Sequence, residues 1–106
     1  MDKAKKQHLE KKGWKVGRVD EFLNLTSEEA TYIEMKLALA DSIKEHRLRE
    51  KLTQVDLARM LKSSQSRVAK IERGDASVSI DLLVRSLIVL GATRRDLAQV
   101  IGYRHP

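Results

Sequence analysis

The stretch LTQVDLARMLKSSQSRVAKIERG, residues 52–74, decides how this chain is read. In its first half Leu57, Ala58 and Leu61 recur at helical spacing behind Thr53, a residue type that caps helices, so a helix is expected from Gln54 to about Leu61. A brief polar turn follows. Ser64 then caps a second helix whose inward stripe is Val68 and Ile71, and Gly74 stops it in the left-handed conformation usual at helix ends. Opposite that stripe stand Gln65, Ser66, Lys70 and Arg73, with Arg67 alongside and no acid among them.

Two short helices joined by three or four residues, the second with a polar, non-acidic outer face, follow the helix-turn-helix plan. Short polar side chains let such a helix lie deep in a major groove, where Gln and Arg can bond base edges in bidentate fashion. The bland alternative is an ordinary solvated face, the commonest meaning of a polar run. Its coincidence with the helix pair favours DNA.

Working outward, Thr26 and Glu29 form a T-x-x-E capping box that opens a helical pattern reaching about Lys51. Ala30, Ile33, Leu37 and Ala40 make one apolar stripe, and Tyr32, Met35 and Leu39 a second beside it. Beyond Ala40 the inward positions are expected at Ile43, Leu48 and Leu52. On the other side, Ser79 begins a helix carrying Ile80, Leu83, Val84, Leu87 and Leu90, and Gly91 ends it. Thr93-x-x-Asp96 opens a last short helix with Leu97, Val100 and Ile101. The expected fold class is therefore all-α.

Residues 1–18 carry seven Lys/Arg against two acids and are expected to form a basic flexible arm, with GWKVG at 13–17 a short extended piece. Asp20 can cap one helical turn over EFLNL, residues 21–25. The domain proper is expected over 19–102, with the reading motif at 54–73 and a frayed tail at 103–106. The chain totals 106 residues, 42% of them hydrophobic, enough for one modest core. It has no cysteine, which excludes disulfides and thiolate metal sites, and a cytoplasmic location is expected. No run approaches the roughly 18 apolar residues of a membrane span, and the N-terminal stretch lacks the apolar core of a signal peptide.

At LTQVDLARMLKSSQSRVAKIERGDASVSIDLL the chain resembles the phage-repressor/Cro (XRE) family of DNA-binding proteins. The marks are the L-T-Q-x-x-L-A opening, the S-Q-S-x-V-x-x-I-E-x-G segment and the joint spacing of Ala58, Val68 and Ile71. The resemblance runs over roughly residues 36–101 and implies a five-helix repressor-like domain. It implies base reading by Gln65, Ser66, Arg67 and Lys70, and phosphate contacts or positioning by Gln54, Lys62, Ser64 and Arg73. Leu57, Ala58, Leu61, Val68 and Ile71 would be the motif's core, and Arg47 and Glu72 a structural ion pair. Lys62 departs from the family's frequent turn glycine, at a cost on the order of 1 kcal/mol for a left-handed backbone.

The implied function is a transcriptional repressor, a homodimer on double-stranded DNA. The upstream segment is similar to a bacterial subgroup that includes HigA-like antitoxins, for which a RelE/HigB-like toxin would be a further partner. Catalysis and cofactors are not expected. Asp41 and Glu45 alternate with Lys44 on one helix face, which an exposed salt-bridge lattice explains better than a paired-carboxylate site. His8, His46 and His105 have no ligand spacing, so no metal is expected.

Overall fold

The computed structural model describes residues 26–102, and the expected arm, extended piece, EFLNL turn and C-terminal tail lie outside them. Five helices and no strand occur among the described residues: α1 (Ser27–Arg49), α2 (Gln54–Met60), α3 (Gln65–Arg73), α4 (Ile80–Val89) and α5 (Arg94–Gly102). Each begins behind a hydroxyl residue. Thr26, Thr53, Ser64 and Ser79 accept from the amides of Glu29, Asp56, Arg67 and Leu82, and Thr93 accepts from that of Asp96 at 3.1 Å. These side chains satisfy amides that a helix cannot satisfy for itself.

At about 1.5 Å per residue α1 is roughly 34 Å long, and it is the post on which the others assemble. It packs against α3, α4 and α5, while α2 packs against α3. The core gathers Leu39, Ala40 and Ile43 of α1 with Leu57, Ala58, Val68, Ile71, Val78, Leu83, Leu87 and Leu90. Burial of each Leu, Ile or Val here stabilises by about 1.5–3 kcal/mol. Leu97 and Val100 place α5 against this cluster from the edge.

Three positions depart from the apolar pattern on α1, one of them Tyr32 of the expected second stripe, which is 48% exposed. Leu48, expected inward, is 56% exposed, because the neighbouring Arg47 takes the buried place to meet Glu72. Lys36, a charged residue in the middle of the apolar half, is only 2% exposed. All four turns between helices use a positive φ, the last at Gly91 (φ 96). Lys51 (φ 58) and Lys62 (φ 54) adopt it without being glycine, and Gly74 (φ 66) does so where a Cβ would also come within 2.9 Å of Leu37 Cδ2. That contact sets the end of α3 directly on α1.

Candidate nucleic-acid interface

α3 divides into two faces by its own periodicity. Val68, Ile71 and Glu72 are buried, whereas Gln65, Ser66, Arg67, Lys70 and Arg73 are exposed. The buried side is fixed at three levels. Val68 and Ile71 enter the core beside Leu57 and Ala58. Small Ala58, 4% exposed, sits in the core where α2 and α3 pack, and Leu61 packs on the same cluster from the rim.

The third level is polar. Arg47 forks onto Glu72, with Nε 2.6 Å from Oε2 and Nη2 3.1 Å from Oε1, and its Nη1 donates to the Leu52 carbonyl at 2.8 Å. Gln54 Nε2 adds a bond to Glu72 Oε1 at 3.2 Å. One carboxylate therefore joins α1, the start of α2 and the end of α3. A planar guanidinium on a carboxylate resists rotation because both bonds must break together. The ion pair expected from sequence is present, and Gln54 is an unforeseen third member. One amide N–H of Gln54 is thus engaged, and its second remains to donate elsewhere.

The exposed side faces a groove. Ser64, Ser66, Arg67 and Lys70 line an open cavity of about 420 Å³, together with Ser77, Val78, Ser79 and Leu82. Gln65, Gln54, Lys62 and Arg73 are not among its lining residues. Lys62 lies exposed in the α2–α3 turn, and Arg73 Nη2 stands 3.6 Å from Asp75 Oδ2. Ser64 serves as the cap, 3.2 Å from the Arg67 amide, and shares a hydroxyl contact of 3.2 Å with Ser66.

Sequence reading identified Ser79 only as a helix cap and did not single out Ser77, although Asp75-x-Ser77 is a local turn signature. Asp75 Oδ1 accepts from the Ser77 amide at 3.0 Å and its hydroxyl at 2.7 Å. Those two bonds hold the Asp75 carboxyl below its usual range, helped by the charges of Arg73 and Lys70. The loop after α3 is thereby folded beside the basic face and offers two exposed hydroxyls to it.

Electrostatically the start of α3 differs from its neighbours. α1, α2, α4 and α5 all have an acid in the first turn, and α3 has none. Arg67 occupies the position where α2 has Asp56. A helix start carries partial positive charge, so this end favours an anion such as a phosphate. Hydroxyls, two cations and this helix start make a surface able to position a nucleic-acid backbone while Gln65 and its neighbours address bases.

Among the described residues there is no group of side chains suited to hold a metal ion, and no helix is long and apolar enough to cross a membrane. No curated protein and no solved structure matches the chain. A helix-turn-helix family model does match, over residues 43–97, a span just over half of the chain that contains both motif helices, the Glu72 fork and the serine loop. On that match, and on a fold with the expected helix pair and ion pair in place, the chain belongs to the helix-turn-helix family of DNA-binding regulators.

Proposed function

We propose that the protein is a sequence-specific transcriptional repressor that binds a palindromic operator as a homodimer. The observation that carries this is the division of α3. All of its structural work falls to Val68, Ile71 and Glu72, leaving Gln65, Ser66, Arg67 and Lys70 exposed with no acid in the first turn of the helix. In this reading α3 enters the major groove, those four side chains read bases, and Gln54, Lys62, Ser64 and Arg73 fix the register on phosphates. Ser77 and Ser79 join the second group.

Dimerisation is supported by the exposed apolar side chains Ile88, Val89 and Ile101 on α4 and α5, exposed by 54%, 41% and 41%. A homodimer on such an operator has its two recognition helices about one DNA turn, some 34 Å, apart. The test uses a duplex selected by the protein from a random-sequence pool, compared with a scrambled duplex of equal length at two salt concentrations. Tight binding to the first alone, persisting at the higher salt, with two protomers per duplex by sedimentation, is the expected result. Equal binding to both that collapses with salt would reduce the protein to a non-specific polycation. One protomer per duplex would remove the homodimer.

A further inference from the structure

The family match begins at residue 43, yet α1 begins at Ser27, so about four turns of the long helix precede the matched domain. Those turns are not idle. Leu37 and Ala40 receive Gly74, the residue that closes α3. One turn before Ala40 lies Lys36, whose Nζ donates to the Ala76 carbonyl at a long 3.4 Å and stands 5.7 Å from the centre of the Tyr32 ring. Residues 74–79 are the serine loop of the groove. They are held at one end by Gly74 in the left-handed region and at the other by Val78, 5% exposed in the core. Lys36 supplies the hold between them.

A buried ammonium is an expensive way to fill space. An apolar side chain of the same length would avoid the loss of hydration that lowers the Lys36 pKa, a loss offset in part by Asp75. What the ammonium adds is direction and sign. It donates to a loop carbonyl, and with Arg73 and Lys70 it counters the negative charge of Asp75, which shapes the loop and would repel a phosphate entering beside Ser77.

We propose that Lys36 is a positioning residue for DNA binding, through which the turns of α1 ahead of the family match hold the Asp75–Ser79 loop, and with it Ser77, against the groove. The inference rests on the DNA-reading function proposed above. It adds that upstream chain, outside the reading motif, governs the strength of backbone contact.

The test is a double-mutant cycle on the full chain, with the selected duplex as probe. Lys36→Met keeps the apolar stem and removes the charge, Ser77→Ala removes the hydroxyl, and Gln65→Ala serves as the control on the opposite side of the argument. Lys36→Met is expected to weaken binding three- to tenfold with an unchanged preference for the selected over the scrambled duplex. Combined with Ser77→Ala the loss should be well short of the product of the two single losses, whereas combined with Gln65→Ala the losses should multiply. Lys36→Arg should restore much of the affinity. A merely structural role would weaken all pairings alike and follow thermal stability, so the melting temperature of each variant is read in parallel. Wild-type affinity in Lys36→Met, or losses that multiply with Ser77→Ala, would overturn the inference while leaving the DNA-reading function intact. Failure of the wild-type chain to select any duplex would overturn both.

Discussion

The starts of α2 and α3 lie eleven residues apart in sequence, and they are built to opposite ends. Both helices are short and both begin behind a hydroxyl cap. At α2 the cap is reciprocated: Asp56 Oδ2 accepts from the Thr53 amide at 2.8 Å while Thr53 accepts from the Asp56 amide at 3.0 Å. A second acid, Glu72, reaches the same end through Gln54. At α3 the cap stands alone, and the third helical position holds Arg67 instead of an acid. One helix start is closed for stability, and the other is left cationic and open. A capping box in α3 would have been the more stable choice, and under the proposed function the cation at Arg67 takes the acid's place to meet DNA.

The largest effect is expected where the closed end is broken from within. Glu72→Ala leaves the Arg47 guanidinium buried without its carboxylate and removes the partner of Gln54, which should destabilise the domain by roughly 3–5 kcal/mol. Chemical denaturation measures it directly. Glu72→Gln keeps shape and one acceptor and should lose less. Equal losses would mean that packing volume, and not charge pairing, holds α1 to α3.

Next comes the conversion of one end into the other. Arg67→Glu gives α3 the acid that its neighbours have, and completes a capping box with Ser64. Stability should hold or rise by a few tenths of a kcal/mol to about 1 kcal/mol. Affinity for the selected duplex should fall by about a hundredfold or more, since a cation facing phosphates or bases is replaced by an anion. A variant that is more stable and still binds DNA would break the comparison, because the open end would then have no use.

How much of this contrast could be read from sequence depends on range. The caps are local, and Thr26, Thr53, Ser64, Ser79 and Thr93 announce five helix starts through the chemistry of one side chain three residues from its amide. The two faces of α3 follow from periodicity, and the Arg47–Glu72 pair from family resemblance. Three features could not be found that way. Gln54 bonds Glu72 only because folding brings residues eighteen apart together. Leu48 is exposed because Arg47 outcompetes it for one buried place, a choice that apolar patterning misjudges. Lys36 donates to the carbonyl of a loop residue forty positions away, and nothing in its immediate neighbours signals that.

Two further substitutions of similar size separate the ends by kind of effect. Thr53→Ala removes the cap of α2 and should cost about 1 kcal/mol of stability with DNA preference unchanged. Gln65→Ala, at the first turn of α3, should leave stability within about 0.5 kcal/mol of wild type. It should lower the preference for the selected over a scrambled duplex by roughly 1–3 kcal/mol at one position of each half-site. Denaturation and competition binding on the same samples read both axes. Loss along the same axis for both variants would erase the distinction between a structural and a reading end.

The smallest effect is the most local, and it turns on protons. The carboxyls of Asp56 and Asp96 are held below their ordinary value of 3.8, first by the backbone amides of Thr53 and Thr93 and then by the hydroxyls of the same residues. A folded-state pKa below the unfolded one means that the unfolded chain binds protons more readily, so stability gained from these carboxylates is present above pH 3.8 and drains away as pH falls below it. The amides that lose their acceptor are those of Thr53 and Thr93, each 2.8 Å from an Asp oxygen. Their exchange protection, corrected for intrinsic rate, should decline from pH 5 towards pH 2.5. The Arg67 amide, bonded to the Ser64 hydroxyl at 3.2 Å with no carboxylate involved, should stay level across the same range. A parallel decline at Arg67 would show acid loosening the whole domain at once. A level Arg67 beside falling Thr53 and Thr93 would show that the start of α3 does without the carboxylate on which the starts of α2 and α5 depend.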